Sequence, residues 1–304
     1  HTPSPSAERE LPHPRTPSPS TGRGLGGGVY HAHLYGTRAH KYTWLDSHDL
    51  TTTPWQRLTP QSPFYFFIPR QTQNLEAYQS WASVTEIFQV HHTGIIAGRD
   101  SLAIHFSAQE LWVTVLQFSR MEPELARQAY QLGKDARDWK VTLAQKDLQR
   151  SGPSRDLIKP ILYRPFDERY TYYTGQNRGF LRWAYPGFMR HMLAGENMAI
   201  IVPRQHKDDF GAFVTKHIGT HKTVAAFDIN YYFPLYLYPS TEAPDMFHQA
   251  RRPNLADGLL PALAAAYGFE PTPEDVLAYI YAVLYSPTYR QKYAQELRTD
   301  FPRL

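Results

Sequence analysis

Basic and aromatic side chains alternate along residues 159–173 in a pattern that suits a nucleic-acid ligand. Arg164 and Arg169 share this segment with Tyr172 and Tyr173, and the segment has the two-residue period of a β-strand. Guanidinium groups bind phosphates and base edges, and aromatic rings stack on bases. Nucleic acid is therefore the first ligand class that the sequence suggests.

The charge of the chain is concentrated in the same region. Residues 150–222 contain twelve Lys and Arg against six Asp and Glu, whereas residues 241–304 contain six against eight. Such a basic stretch can simply solvate one surface. Aromatic residues are interleaved with the cations, however, and this favours binding over solvation. These aromatic residues are Tyr170, Tyr172, Tyr173, Phe180, Trp183 and Tyr185.

The motifs that would indicate catalysis are missing or poorly placed. An adenine amino-methyltransferase needs a rigid turn of the Asn-Pro-Pro-Tyr kind, and the sequence contains no Pro-Pro dipeptide. Asp135, Asp138 and Lys140 have the spacing of a metal-dependent nuclease, but they fall in a charged, helix-favouring region where residues two apart face different directions. We therefore assign no catalytic residue.

Metal and cofactor sites receive equally little support. The chain has no cysteine, which excludes disulfides and thiolate metal sites. His31 and His33 share one strand face, but no third ligand follows nearby. The glycines at positions 22, 24 and 27 match a dinucleotide-binding pattern without a preceding strand. We expect no metal site and no cofactor in this chain.

Composition bounds the class of protein. With 304 residues, 42% of them hydrophobic, the chain can form one or two domains. The missing cysteines and the lack of an apolar run of about 18 residues favour a cytoplasmic protein without a membrane partner. Residues 1–28 are rich in Pro, Ser and Gly, so we expect them to be disordered. Because the sequence begins with His rather than Met, we also expect either a fragment of a longer protein or a gene whose upstream part has been lost or displaced.

Periodicity predicts a mixed α/β (α+β) fold with a central β-sheet and flanking helices over residues 29–240, followed by a helical C-terminal segment over residues 241–304. The predicted strands are residues 29–35, 63–69, 160–173, 198–203, 213–218 and 225–239. The predicted helices are residues 74–88, a helix after Ser107 with a capping box to Glu110, residues 122–150 with a break at Gly133, and residues 185–193, 255–267, 273–285 and 289–297.

Several motifs together are similar to the C-terminal specificity region of type ISP restriction–modification enzymes. They occur in the same order over residues 29–304. The matching residues are 35–38 with Lys41 and Leu45; Phe88, Gly94, Gly98, Arg99 and Asp100; 163–167 with Arg169, Tyr172 and Tyr173; Asn197 with 200–205; 230–239; 279–284; and 300–303.

The resemblance implies a function in DNA target recognition. In that family one polypeptide joins a nuclease, a motor, an adenine methyltransferase and a target-recognition domain. The partners implied are double-stranded DNA and a methyltransferase region in the same or a separate polypeptide. S-adenosylmethionine, ATP and Mg are implied only for the full-length enzyme, since this chain lacks the motor, nuclease and methyltransferase motifs.

The basic and aromatic residues then receive predicted roles on DNA. Arginine forks can pair bidentately with guanine edges. For base edges we predict Arg99, Arg164, Arg169, Arg178 and Arg182. For phosphates we predict Lys159, Arg190, Arg204 and Lys207, and for stacking or wedging Tyr172 and Tyr173.

Other interpretations stay open at this level. Asp100, Phe166, Asp167 and Pro239 could serve the scaffold. Arg164 and Asp167 could form an internal ion pair, and Arg99 with Asp100 could clamp a turn. The chain could also be the catalytic part of an S-adenosylmethionine-dependent adenine methyltransferase or of an ATP-dependent restriction endonuclease. A binder of single-stranded nucleic acid is a third alternative.

Overall fold

The computed structural model describes residues 28–71, 73–207, 209–225, 227–240 and 251–304. The predicted disordered tail, residues 1–28, lies outside the described residues except for Gly28, as do the three glycines of the dinucleotide-like pattern. Contacts between Cα atoms divide the chain into two compact units after Gln71.

The first unit contains a small antiparallel sheet and one helix. Strand β1 (Val29–His31) pairs with β2 (Gln56–Leu58), and helix α1 (Arg38–Ser47) lies between them in sequence. The side chain of Thr37 accepts a hydrogen bond from the backbone of His40, which fixes the start of α1. The strand predicted at residues 63–69 is wrong, since this stretch forms turns between two prolines.

The second unit is built from eleven α-helices and ten short strands among its described residues. Its helices are α2 (Leu75–Gln79), α3 (Val84–Ile87), α4 (Asp100–Ala103), α5 (Ala108–Arg120), α6 (Pro123–Ala129), α7 (Val141–Ser151), α8 (Pro186–Leu193), α9 (Leu259–Tyr267), α10 (Pro273–Tyr285), α11 (Pro287–Lys292) and α12 (Ala294–Leu297). Its strands are β3 (His92–Thr93), β4 (Ile104–His105), β5 (Ile158–Arg164), β6 (Asp167–Tyr172), β7 (Ala199–Pro203), β8 (Phe213–Thr215), β9 (Ile218–Gly219), β10 (Asn230–Pro234), β11 (Tyr236–Leu237) and β12 (Arg252–Pro253).

The first sheet of this unit has the strand order β4-β6-β5-β9. Strands β5 and β6 form an antiparallel hairpin, and β9 adds to β5 in parallel. Helix α5 packs on the hairpin and against α7, burying Phe118, Trp139 and Tyr172 in one core. The mixed α/β class predicted from the sequence is confirmed.

The second sheet has the order β3-β10-β7-β8. All five residues of β7 are buried, and they alternate between two cores: Ala199 and Ile201 face the first, while Ile200 and Val202 face the second. The second core also contains residues of α10, including Ile280 and Leu284. The C-terminal helices therefore share a core with this sheet, and no separate core begins among the described residues after residue 240.

The helix predicted over residues 74–88 is broken in the structure. Helix α2 ends at Gln79, and α3 starts anew after Ser83, which forms a capping box with Glu86. Ser83 also forms an isolated bridge with Arg303, so the chain end is paired at this break. The predicted start of α5 at Ser107 is confirmed, because its side chain accepts from the backbone of Glu110.

Candidate nucleic-acid interface

The turn of the β5–β6 hairpin presents an aromatic ring to solvent. Arg164 pairs with Asp167 in register, so Pro165 and Phe166 form the turn. Phe166 has a φ of 60°, a left-handed conformation that glycine normally occupies in turns. Its side chain is 90% exposed, and it meets the ring of Phe213 at 5.3 Å between centroids. Phe166, which the sequence left open as a scaffold residue, therefore lies at the surface.

Arg169 is fixed at the base of this turn. Its Nε and Nη2 donate to the two carboxylate oxygens of Asp167 at 2.9 and 2.7 Å. Its guanidinium also lies over the rings of Phe106, at 4.1 Å, and Tyr163, at 4.2 Å. The hydrogen bond to Asp167 raises the pKa of Arg169, so this cation is permanent. Asp167 thus has Arg169 as its partner, and the predicted pair of Arg164 with Asp167 is wrong.

Arg164 lies against the same tyrosine. Its guanidinium is 4.0 Å from the Tyr163 ring centroid, and its Nη1 donates to the backbone carbonyl of Tyr163 and to Thr220. The hydroxyl of Tyr163 donates to Asp100 at 2.9 Å. Two guanidinium groups and one ring are thereby held together at the hairpin. We call Phe106, Tyr163, Arg164, Phe166 and Arg169 the hairpin cluster.

A second cationic and aromatic group lies on the loop between β6 and α8. Arg178 places its guanidinium 5.4 Å from the ring of Trp183, whose plane lies within 10° of that of Tyr185. The ring of Tyr185 in turn lies 4.3 Å from His92. We call His92, Arg178, Arg182, Trp183 and Tyr185 the loop cluster.

Local hydrogen bonds fix the shape of this loop. The side chain of Asn177 accepts from the backbone N–H groups of Ala184 and Tyr185. Arg178 and Tyr185 both have positive φ, at 59° and 51°. Non-glycine residues in this region carry strain that neighbouring structure must offset. The loop is therefore held in one conformation by its own side chains.

A buried carboxylate anchors the loop from below. Asp147 on α7 accepts from the backbone N–H of Phe180 and from the hydroxyl of Thr174, both at 2.8 Å. A Cβ at Gly179 would lie 2.2 Å from an oxygen of Asp147, so only glycine fits there. Burial raises the pKa of Asp147.

Asp138 is the counterion of the loop cluster. Its Oδ2 accepts from Nη2 of Arg182 at 3.1 Å, and its Oδ1 lies 3.9 Å from Nη2 of Arg178. The side chains of Arg178 and Arg182 remain 57% and 38% exposed. Both arginines can therefore reach a ligand while Asp138 holds their positions.

Arg99, predicted to read bases, holds the chain together. Its Nε, Nη1 and Nη2 donate to the backbone carbonyls of Leu132, Gly98 and Lys134. The guanidinium also lies 4.8 Å from the ring of Trp139. The geometry makes Arg99 a clamp between two loops, and its role in reading base edges stays a prediction.

Tyr172 and Tyr173 are core residues in the structure. Tyr172 is fully buried, and its hydroxyl bonds to the backbone of Ser154 and Gly152. Tyr173 is 7% exposed and donates to the carbonyl of Ala184. Neither ring is available at the surface, so the stacking or wedging role predicted for them is wrong.

The remaining predicted cations are dispersed. Arg204 donates to Asp300 at 2.8 Å and keeps 54% of its side chain exposed. Lys207 is exposed, and Lys159 on β5 is half-buried. Arg190 on α8 is half-buried, and among the described residues its Nε has no hydrogen-bond partner.

Asp135 and Asp138, which have nuclease-like spacing in the sequence, form ion pairs with arginines. Asp135 accepts from Arg127 at 3.0 Å, which lowers the pKa of Asp135, while Asp138 bonds to Arg182. Within the described part of the chain, no three His, Asp or Glu side chains come together as metal ligands. His31 and His33 have their rings 4.1 Å apart and no such third group in that part of the chain.

Sequence reasoning missed two strongly exposed aromatic side chains. Phe106 and Phe166 were not among the predicted DNA contacts, although they are 71% and 90% exposed. The available signal was Pro165, which cannot donate to a strand ladder and so marks a turn within the alternating segment. Trp183 and Tyr185 were noted for their spacing but received no role.

Fold and surface together define a mixed α/β domain that carries fixed arginine–aromatic groups. The sequence matches the family model described as the type ISP C-terminal specificity domain over residues 86–304, and the chain belongs to that family. Among curated protein sequences, none matches this chain significantly.

Three solved structures that contain DNA have a similar fold. The chain is similar to a DrdV–DNA complex determined by cryo-EM, with a TM-score of 0.63, 21% identity, and coverage of 88% of this chain and 27% of that one. It is similar to a nuclease-deletion mutant of the type ISP restriction–modification enzyme LlaGI with a DNA substrate mimic, with a TM-score of 0.60, 20% identity, and coverage of 88% and 25%. The ATP-dependent type ISP enzyme LlaBIII bound to DNA gives a TM-score of 0.60 at 16% identity, with coverage of 82% and 16%. At these identities the likeness shows the fold alone, and the chain spans 16% to 27% of the length of those chains.

In the described ranges, no helix combines the length and the apolar character that a membrane span requires.

Proposed function

We propose that this chain is a DNA target-recognition module. It binds duplex DNA through the hairpin and loop clusters and positions it for an adenine methyltransferase region in the same or a separate polypeptide. S-adenosylmethionine, ATP and Mg belong, in this proposal, to that other region, so DNA binding by this chain requires none of them. A cytoplasmic location follows from the same role.

The observation that carries the proposal is the fixed stacking of guanidinium groups on aromatic rings. Arg164 and Arg169 lie on Tyr163, and Arg178 lies over Trp183. Stacking and ion pairing fix each planar fork before a ligand arrives, so little side-chain entropy is lost on binding. Such forks suit guanine edges and phosphates. Membership in a specificity-domain family and the DNA in the neighbouring structures support the same conclusion.

The test is equilibrium binding of the intact chain to a fluorescent duplex, measured by anisotropy at several salt concentrations. The proposal predicts duplex binding without added cofactor, with log K falling linearly against log salt. A selection from a random duplex pool should then enrich one short sequence. Equal or tighter binding to a single strand of the same sequence would instead support a single-strand binder and overturn the proposal.

The alternative of a catalytic fragment is tested with the same preparation. Methyl transfer from S-adenosylmethionine to duplex DNA by the isolated chain would contradict the assignment of catalysis to another region. Binding without turnover is the predicted result.

A further inference from the structure

We propose that Phe166 is an apolar wedge that inserts between neighbouring base pairs of the bound duplex. The inference rests on the proposed function and adds one residue with a defined action on DNA. It was not expected from the sequence, where the wedge was assigned to tyrosines that the fold buries.

The placement of Phe166 costs stability in the free protein. Its ring is 90% exposed, and its φ of 60° is unfavourable for a residue with a large side chain. Glycine or asparagine would form this turn with less strain. Among the described residues its ring contact is the edge of Phe213, at 5.3 Å. A strained and exposed aromatic residue is an arrangement that a ligand contact would explain.

The turn is also rigid, as a wedge must be. Pro165 has a fixed φ, and Arg164 and Asp167 close the hairpin by pairing in register. Below the turn, Asp167 binds Arg169, which lies on the rings of Phe106 and Tyr163. Unstacking a base step costs a few kcal/mol, so the inserted side chain needs a support that does not yield.

A cation beside the turn suits DNA as the occupant. Arg164 directly precedes the turn and has no carboxylate partner among the described residues, so it can meet a phosphate beside a base step. The carboxylate of Asp167 is neutralised by Arg169. Glu168 lies one residue along β6 and so projects from the opposite face of the strand, near His217 at 3.8 Å. An apolar tip beside a cation fits a stacked, polyanionic ligand.

The test compares the wild-type chain with Phe166→Gly. Glycine accepts the positive φ, so we expect an unchanged or higher melting temperature. Affinity for a selected duplex should fall about tenfold or more, in line with the loss of one base-stacking aromatic group. The salt slope should stay the same, because no phosphate contact is removed. The matched control is Phe269→Gly, since Phe269 is 59% exposed beyond α9; it should bind as the wild type does.

A chemical probe reports the insertion itself. Permanganate oxidises unstacked thymines. In a series of duplexes that place thymine at each position in turn, the wild-type complex should show one reactive thymine at the wedge position. The Phe166→Gly complex, formed at saturating protein, should lose that reactivity.

The possible results separate the two claims. Equal duplex affinity of Phe166→Gly and wild type, or an unchanged permanganate pattern, would overturn the wedge and leave target recognition intact. A lower melting temperature for Phe166→Gly would mean that the ring supports the fold, which also overturns the wedge. Failure of the wild-type chain to bind any duplex would overturn the proposed function first.

Discussion

Several arginine side chains of this protein are oriented before any ligand is present, and the partners that orient them determine their roles. Arg99 bonds to backbone carbonyls on three sides, so it holds loops together. Arg178 and Arg182 share one carboxylate, Asp138, and keep much of their surface in solvent. The sequence shows all three as arginines near aromatic residues. What separates them is tertiary contact over tens of residues, which no local pattern reveals.

Removal of either exposed arginine of the loop cluster should weaken duplex binding. Arg178→Ala and Arg182→Ala each remove one cation near the DNA, so the slope of log K against log salt should become shallower by about one if the contact is to a phosphate. Anisotropy titrations at several salt concentrations measure both effects. Lys292→Ala, on α11, is the charge-matched control and should change neither value; an unchanged affinity for Arg178→Ala and Arg182→Ala would place DNA elsewhere.

Stability should fall on mild acidification, in part because of His191. Burial lowers the pKa of His191 to about 4, and its Nδ1 accepts from the backbone of Tyr238. The unfolded chain takes up this proton below about pH 6.5, whereas the folded chain does not. Its contribution to the free energy of unfolding is therefore complete above pH 6.5 and declines as the pH falls towards 4.

Urea denaturation of His191→Gln at pH 7 and pH 5 tests this contribution. The variant should lose less stability between the two pH values than the wild type does. Some decline should remain, because burial also lowers the pKa of His91 and of His221. An identical decline in both proteins would show that His191 does not carry the effect.

At the scale of elements, Gly94 and Gly98 allow their backbone to approach the segments around Gly219 and Arg182 closely. Gly94 runs beside Gly219 and Thr220, and the backbone of Ile95 donates to the carbonyl of Gly219. Gly98 has a φ of 81° and packs under Arg182. This glycine motif, one of several that suggested the family, is thus a scaffold for the loop cluster. The spacing of the two glycines was visible in the sequence. The backbone that Gly94 approaches, at Gly219 and Thr220, lies more than a hundred residues further along the chain.

Substitution of Gly94 by alanine should disrupt the folded state. The added Cβ would lie 2.4 Å from both the carbonyl oxygen of Gly219 and the carbonyl carbon of Thr220, and backbone atoms cannot move aside as a side chain can. We expect a loss of about 3 kcal/mol or more in the free energy of unfolding, in the range of severe packing errors.

Gly187→Ala is the matched control for this substitution. Gly187 lies in α8, and a Cβ added there would meet no neighbouring segment of the described structure within 4 Å. The variant should be neutral or stabilising by up to about 1 kcal/mol, because alanine favours the helix over glycine. Similar stability for Gly94→Ala and Gly187→Ala in urea denaturation would refute the close-approach argument.

Regular segments of the sequence predicted the elements well, and irregular ones did not. The capping residue Ser107 fixed the start of α5, and Gly133 fell at a break with a φ of 64°. The segment 160–173 was predicted as strand, yet Pro165 and Phe166 fold it into a hairpin. Period-two alternation cannot distinguish one long strand from two joined by a tight turn, and that ambiguity is why Tyr172 was assigned to the surface.

At the scale of the whole molecule, two cores meet at one strand. Strand β7 contributes alternate residues to both, and the C-terminal helices complete the second core. Periodicity predicted a helical segment over residues 241–304, and the apolar face of its helix α10 packs in the second core. The basic surface therefore belongs to a unit that extends to the end of the described chain.

The natural absence of cysteine allows the location of DNA to be measured directly. A photo-crosslinker attached to Arg178→Cys, whose native side chain is 57% exposed, should form a covalent adduct with a bound duplex. The same reagent on Phe269→Cys, on the C-terminal helical side, should give none while the affinity of both labelled chains remains measurable. Adducts from position 269, or none from position 178 in a saturated complex, would contradict binding at the loop cluster.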